Sequence, residues 1–327
     1  MRRGGDIGPV VFMVAMVMLG VAAAVVILRH QPAPVAGGPR HHYLDSPYQV
    51  QLFHKGQLHV HTDRAIGHQL PRDMSRAYER AGYEWVSITD LNTLTPTDQF
   101  VTPNIVPVAG VEAGFGFGHF IELGVQILPP ATTLQQAVDD VHNQAGVAIL
   151  AHPKEPPVVT YEQAAALQRL DAIEIYDARL RLQNPPLADA TDTWDRLLSA
   201  GHRVWGVVGD DATWVDGPDS TLGQTALYIQ SADVEPSLVG DAIHRGAFFD
   251  STGVRILSID TPSSDTLRVI TADATSIRWF GKGGEALATT SGKVGTYRVR
   301  WDERYVRAVA SRADGAQAWT QPVFLVP

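Results

Sequence analysis

The sequence predicts an α/β fold, in which a parallel barrel of strands and helices follows a transmembrane helix and precedes a small β sandwich. Short apolar runs alternate with helix-like stretches between residues 51 and 250, which is typical of a parallel sheet with crossover helices. His, Asp or Glu follows most of these runs, and helical patterns stop after about Ser251. We therefore expect an anchor (1–30), a linker (31–50), a barrel (51–250) and a β module (251–327).

The N-terminal segment predicts a membrane anchor. An uncharged apolar run from Gly8 to Leu28 follows Arg2 and Arg3. Roughly 20 apolar residues can cross a bilayer as a helix, whereas a cleaved signal usually has about 7–15. The paired arginines favour a cytoplasmic N-terminus and an extracytoplasmic, periplasmic body. Cleavage near Val35–Gly38 is the alternative, and the following Pro- and Gly-rich stretch is typical of a linker.

Composition limits the chemistry and the partners of the chain. There is no cysteine, so neither a disulfide nor a thiolate ligand is available. The net charge of −9 argues against a nucleic-acid-binding protein, because such proteins usually present a basic surface. We expect a small-molecule substrate, and contact with the membrane through the N-terminal helix.

The predicted barrel contains seven strands and five helices. The strands are Gln57–His61, Trp85–Thr89, Ile105–Val111, Phe120–Val125, Val147–Ala151, Ala172–Tyr176 and Val204–Val208. The helices are Pro71–Ala81, Leu134–Ala145, Tyr161–Leu170, Ala188–Ala200 and Pro236–Arg245. Thr133 with Gln136, and Thr160 with Gln163, have the spacing of a capping box, and Pro71 suits a first helical position.

Strand ends favour a closed barrel over an open sheet, although both fit the alternation. His59 and His61 end the first strand, Glu112 follows the third, His152 the fifth and Asp211 the seventh. In a parallel barrel the carboxyl ends of all strands meet at one mouth. An open sheet would spread these side chains along a line, so we predict the barrel.

After Ser251 the pattern predicts a small antiparallel β sandwich. Short alternating runs are separated by Gly, Asp and Ser, as in strand-and-turn sequences. The runs are Leu267–Ile270, Ser276–Phe280, Tyr297–Trp301, Tyr305–Ala310 and Pro322–Val326.

Six residues are candidate metal ligands. His59 and His61 form an H-x-H whose side chains point to the same side of a strand, so that two imidazoles can hold one ion. A carboxylate such as Glu112 can bridge two ions ~3.5–4 Å apart. The other candidates are His119, His152 and Asp211. Each alone has an ordinary structural explanation, but together they predict a metal site.

The order of motifs resembles the polymerase and histidinol phosphatase (PHP) superfamily over about residues 54–250. The motifs are His59-Val60-His61, Ile88-Thr89-Asp90, Gly110-Val111-Glu112, Gly118-His119, Ala151-His152-Pro153 and Gly209-Asp210-Asp211-Ala212. The Gly246–Gly253 segment leading into the β module is similar to secreted members, including the branch of carbaryl-hydrolase-like metalloesterases. The resemblance implies a distorted seven-stranded β/α barrel with up to three divalent metals.

The resemblance also implies which residues hold each ion. One set of ligands is His59, His61, Glu112 and Asp211. The second set is Glu112, His119 and His152, with Glu112 bridging. Leu91 and Thr213 stand where the third position would have histidines, and His68 could match its remaining ligand. We therefore predict two divalent ions, of Zn, Mn or Fe, rather than three.

These ligands predict a metal-dependent hydrolase in which a hydroxide bridging two ions attacks a phosphoester. The alternatives are a carboxylic ester or carbamate hydrolase of the same fold, and a non-catalytic ligand-binding domain. Candidate catalytic residues are Glu112, His152, Asp211 and Lys154. Lys154 could contact an anionic substrate or the developing oxyanion, or be an exposed loop lysine. Either Glu174 or Asp177 could orient a ligand imidazole or form a salt bridge.

Overall fold

The computed structural model describes residues 43–49 and 52–326, which form a mixed α/β fold with several sheets. The predicted anchor and most of the predicted linker lie outside these residues. Within the described ranges, no helix is both long enough and apolar enough to cross a bilayer.

Six α-helices occur among the described residues. They are α1 (Pro71–Arg80), α2 (Leu134–His142), α3 (Tyr161–Ala166), α4 (Ala178–Gln183), α5 (Thr191–Ala200) and α6 (Pro236–Arg245). Five of them match predicted helices, whereas the short α4 was not predicted. The capping box at Thr160 and Gln163 is complete. Thr133 accepts from the Gln136 amide, but the Gln136 side chain turns to Thr132 instead of closing the box.

The strands before Ser251 form two groups. The bounds are β1 (Tyr43–Asp45), β2 (Phe53–Gln57), β3 (Trp85–Ser87), β4 (Val106–Val108), β5 (Gly110–Phe115), β6 (Gly118–Leu123), β7 (Val147–Leu150), β8 (Ala172–Asp177), β9 (Trp205–Gly209), β10 (Ala226–Gln230) and β11 (Phe248–Ser251). Strands β2, β3 and β4 pair in parallel within an eleven-stranded sheet, and β10 joins β2 antiparallel. Strands β5 to β9 form a separate five-stranded sheet.

The predicted closed parallel barrel is wrong. The predicted strand Ile105–Val111 is interrupted at Ala109, so that β4 belongs to the eleven-stranded sheet and β5 to the five-stranded sheet. Isolated bridges at Val60–Ala212 and Leu91–Glu112, rather than a continuous ladder, lie beside the ends of the two sheets. Closure requires continuous pairing around the ring. In addition, β6 pairs antiparallel with both β5 and β7, since the turn between Phe115 and Gly118 is far too short for a parallel crossover.

The parallel pairing of β7, β8 and β9 agrees with the prediction and brings their carboxyl ends together. A core of apolar residues fills the space around this sheet and beneath helices α2, α5 and α6. Trp85 from β3 is fully buried in it, and its ring lies on Gly56, where a Cβ atom would come within 1.8 Å. Glycine is therefore required at that position for the two strands to pack.

Strands after Ser251 pair antiparallel, as predicted. They are β12 (Ile256–Ser263), β13 (Thr266–Thr271), β14 (Ser276–Phe280), β15 (Ala286–Ser291), β16 (Val294–Arg298), β17 (Tyr305–Ser311), β18 (Gln317–Thr320) and β19 (Val323–Val326). The sheet β12–β13–β16 and the strands β14 and β17 both contribute to a second apolar cluster. Strand β18 pairs with β11, so the large sheet runs without interruption from the α/β part into these strands.

Candidate metal centre

Glu112 in β5 lies at the centre of four imidazoles. Its Oε1 atom is 2.6 Å from His119 Nδ1 and 3.0 Å from His152 Nε2. Its Oε2 atom is 3.2 Å from His61 Nε2 and 3.7 Å from His59 Nε2. The two oxygens thus face two different pairs of histidines, which is the arrangement expected of a bridging carboxylate.

Asp211 follows β9 and faces one of these pairs. Its Oδ1 atom lies 3.0 Å from His61 Nε2 and 3.7 Å from His59 Nε2. Asp211 has a φ of 46°, in the left-handed region that costs a non-glycine residue free energy. The preceding Asp210 is held in place, because its carboxylate accepts bonds from the Tyr78 hydroxyl and from the Gly223 and Thr225 amides.

Two buried carboxylates, Glu174 and Asp177, lie beside the centre, and one of them orients its histidines. Glu174 in β8 accepts from His59 Nδ1 at 2.9 Å and from the His152 amide at 2.8 Å. Of the two alternatives considered for Glu174 and Asp177, the imidazole contact therefore belongs to Glu174. Asp177 instead accepts from the Leu180 amide and caps α4. The sequence pattern alone did not show which of the two carboxylates contacts an imidazole and which caps a helix.

Asp90, after β3, also acts on the centre from outside it. Its carboxylate accepts from the amide of Thr62 at 2.5 Å and from its hydroxyl at 2.6 Å. Thr95 donates a third bond at 2.6 Å. Because Thr62 directly follows His61, these bonds fix the chain where it leaves the H-x-H motif.

Arg179 is a site residue that the sequence analysis missed. It lies in the first turn of α4, where Nε donates to Asp211 Oδ2 and Nη2 to Glu155 Oε2 at 2.9 Å. Glu155 Oε2 is in turn 3.2 Å from His152 Nδ1. The available signal was its position two residues after Asp177, at a strand end that already carried two carboxylates.

The centre has the donor set and the unpaired atoms that a divalent cation requires. His59 Nε2, His61 Nε2 and Asp211 Oδ1 are buried without a hydrogen-bond partner. Such atoms are rare in folded proteins because the lost hydration is costly. Ligating atoms of Glu112, His119 and His152 all lie within 4.8 Å of one another, as do those of His59, His61 and Glu112. Imidazole and carboxylate ligands suit Zn, Mn or Fe.

The pKa values reflect this mutual pairing. Burial alone would raise the pKa of Glu112, but hydrogen bonds from His119 and His152 hold it well below its usual range. Burial would lower the pKa of His61, yet Asp211 and Glu112 outweigh it and raise that pKa to about 9. Glu112 likewise raises the pKa of His152 to about 9, against the effect of burial. A divalent cation would displace protons from this cluster, since metal ligation needs neutral imidazoles.

The remaining candidates lie at the edge of the centre or away from it. Leu91 and His119 both lie next to Gly114. A Cβ atom added to that glycine would be 2.9 Å from Leu91 Cδ1 and 3.3 Å from His119 Nε2. The His68 ring stacks on Trp214 with ring centroids 3.5 Å apart. Its amide donates to the Thr213 carbonyl. Lys154 Nζ points to Asp192 Oδ1 at 2.8 Å.

No family model matches the chain, and no curated protein matches it by sequence. Among solved structures it is similar to a two-domain protein from Bacteroides vulgatus containing a predicted PHP-like metal-dependent phosphoesterase. The two share 14% identity over 88% of this chain and 91% of that chain, with a TM-score of 0.46.

The chain is also similar to two further solved structures. A lesion-specific endonuclease from Pyrococcus furiosus is 13% identical over 59% of this chain and 56% of its own, with a TM-score of 0.43. An amidohydrolase from Chromobacterium violaceum is 14% identical over 58% of this chain and 96% of its own, with a TM-score of 0.38. All three of these solved structures are at most 14% identical to the chain.

Proposed function

We propose that this chain is a metal-dependent hydrolase of the PHP superfamily, and specifically a phosphoesterase that uses two divalent ions. The observation that carries the proposal is the convergence of the six predicted ligands, Glu112 among them, on one centre, with buried ring nitrogens of His59 and His61 left unpaired. The PHP-like order of the motifs supports the phosphoester over the carboxylic ester or carbamate. The apolar N-terminal run supports an anchored, extracytoplasmic enzyme.

Each ion would have its own ligands and share one. His59, His61 and Asp211 would hold the first ion, with Glu112 Oε2. The second ion would be held by His119 and His152, together with Glu112 Oε1. Divalent ions bound there lower the pKa of water and polarise a phosphoryl oxygen.

The protein's own contribution is orientation. Glu174 holds His59 through Nδ1 at 2.9 Å and so leaves Nε2 directed at the centre. The side chains of His59 and His61 are fully buried, whereas 23% of the His119 side chain is exposed. Substrate therefore approaches from the His119 side, and the opposite side of the centre excludes bulk water.

The test combines metal content with a substrate panel. Purified protein is loaded with Zn or Mn, its bound ions are counted, and p-nitrophenyl phosphate, bis-p-nitrophenyl phosphate and p-nitrophenyl acetate are assayed. We expect two ions per chain and hydrolysis of a phosphate ester. Glu112→Gln should lose both ions and, with them, the electrostatic stabilisation of the transition state, which should reduce kcat/KM by about 100–1,000-fold.

Glu162→Gln makes the same chemical change on an exposed helix position and should leave both measurements unchanged. Hydrolysis of p-nitrophenyl acetate alone would favour the ester alternative. A protein that binds ions but turns over none of the three substrates would favour the ligand-binding alternative. Failure of the wild-type protein to bind ions would refute the proposal.

A further inference from the structure

Arg179 and Glu155 connect a ligand of each proposed metal position. Arg179 uses three different nitrogens: Nε donates to Asp211 Oδ2, Nη2 to Glu155 Oε2 and Nη1 to Gln183 Oε1. Glu155 Oε2 also lies 3.2 Å from His152 Nδ1. A continuous path therefore runs from His152 through Glu155 and Arg179 to Asp211.

The path uses the atoms that face away from the centre. Asp211 turns Oδ1 to the histidines and Oδ2 to Arg179. His152 turns Nε2 to Glu112 and Nδ1 to Glu155. Outer contacts of this kind fix the rotamer and tautomer of a metal ligand, and their loss typically costs about 10–100-fold in metal affinity.

The fold places the pair where it can act on both ligands. Glu155 lies in the loop after β7, Arg179 follows β8, and Asp211 follows β9. These three parallel strands are neighbours, so their carboxyl ends are adjacent. Only 20% of the Arg179 side chain and 24% of the Glu155 side chain are exposed, which limits screening of the pair by water.

We propose that Arg179 and Glu155 are positioning residues that couple the two metal positions, Arg179 by holding Asp211 and Glu155 by holding His152. The inference rests on the proposed function. Removing either Arg179 or Glu155 should also abolish the effect of the other on metal affinity, because each side chain is held in position by the other. Arginine is needed because its planar fork supplies several donors in fixed directions, whereas a lysine ammonium is a single point charge.

The experiment measures metal affinity directly. The metal-free full chain is titrated with Zn in competition with a chelating dye, for the wild type and for Arg179→Gln, Arg179→Lys, Glu155→Gln and the double variant. We expect each Gln variant to bind about 10–100-fold more weakly. Arg179→Lys should fall between them and the wild type, and the double variant should be no weaker than the weaker single variant.

Arg181→Gln is the matched control, since it makes the same change two residues further along α4 at an exposed position. Thermal unfolding of every metal-free variant shows whether the chain remains folded. If Arg179→Gln unfolds, the metal affinity of Glu155→Gln tests the coupling instead. Affinities equal to that of Arg181→Gln, or additive losses in the double variant, would overturn the coupling.

A substrate-binding role makes a different prediction. At saturating metal, positioning variants should recover most of their kcat and keep their KM. A KM raised tenfold with unchanged metal affinity would make Arg179 a substrate contact and overturn the proposal. If the wild type binds no ion, the proposed function fails; if it binds two and the variants match it, only this inference fails.

Discussion

Glu112 illustrates how individual residues decide the chemistry of this chain. Its two oxygens serve four imidazoles, and its position within β5, rather than after it, keeps it 2% exposed. The motif order predicted the ligand candidates around it. The atoms that hold those ligands, on Glu174 and Arg179, became evident only from contacts across the sheet.

Glu174 provides a test of ligand orientation. In Glu174→Gln, an NH2 group replaces one of the two carboxylate oxygens. The variant side chain can then no longer accept hydrogen bonds through two oxygens from both His59 Nδ1 and the His152 amide. We expect metal affinity to fall about 10–100-fold. Competition with a chelating dye measures it, with Glu235→Gln as an exposed control. Equal affinities would show that Glu174 does not orient these ligands.

Lys154 tests a catalytic role expected from the sequence. Its ammonium pairs with Asp192 at 2.8 Å, and both side chains are substantially exposed. Exposed ion pairs contribute about 0–1 kcal/mol to stability, so Lys154→Ala should change the free energy of unfolding by less than about 1 kcal/mol. We also expect kcat/KM to change less than about threefold. A hundredfold loss of kcat with normal stability would restore Lys154 as a contact of the developing oxyanion.

At the scale of elements, close packing between neighbouring strands shapes the centre. Gly209 ends β9 beside Glu174 of β8, and a Cβ there would lie 1.9 Å from Glu174 Oε1 and 3.0 Å from His59 Cβ. Gly209→Ala should therefore displace Glu174 and destabilise the fold by about 1–3 kcal/mol. Chemical denaturation and metal titration both measure the effect.

Gly116→Ala is the matched control for this prediction, because a Cβ there meets nothing within 4 Å. It should leave stability and metal affinity nearly unchanged. If Gly209→Ala behaved like Gly116→Ala, the close approach of β9 to Glu174 would not limit the site.

The packing of α2 against β6 predicts a pH-dependent stability. Glu122 on β6 is 2% exposed, and burial together with Asp140 of α2 raises its pKa from 4.5 to about 8. A carboxyl whose pKa is raised on folding stabilises the protein below its unfolded pKa, and this contribution is lost as the pH rises through 8. Wild-type stability should therefore fall between pH 5 and 9.

Glu122→Gln removes this titration while keeping the shape of the side chain. We expect the variant to be more stable than the wild type at pH 9 by at least ~2 kcal/mol, given about 1.4 kcal/mol per pKa unit. The two should be similar at pH 5. Melting curves across this range measure the difference, and a parallel pH dependence in both proteins would contradict the assignment to Glu122.

At the scale of the whole molecule, the strands after Ser251 complete the sheet that begins in the α/β part. Strand β18 pairs with β11 in register Phe249–Thr320. The Gln321 side chain donates to the Gly206 carbonyl and to Asp250 Oδ2, both at 2.8 Å. Ending the chain at Ser251 would expose β11 as an edge and leave these groups unpaired, and exposed edges favour aggregation.

We therefore expect a chain ending at Ser251 to be insoluble or to lack cooperative unfolding. Expression with residues 252–327 supplied as a separate polypeptide should restore soluble protein if the two parts pair as the structure shows. Circular dichroism and a melting curve of the soluble fraction measure this. A truncated chain that is soluble and melts cooperatively would show that the two segments predicted from the sequence fold independently.

Sequence alone determined the positions of most helices, the parallel β7–β9 unit and the set of candidate ligands. These depend on local signals, namely apolar periodicity, helix caps and polar residues at strand ends. Closure of the strands was not a local property. The short turn before β6 and the break at Ala109 produce two sheets, which only strand pairing reveals. Likewise, Arg179 and Glu155 are 24 residues apart in the sequence, and no periodic pattern links residues at that separation. Only the tertiary structure identified the two sheets and this ion pair, because strand pairing and ion pairing depend on distances in space and not on separation in the sequence.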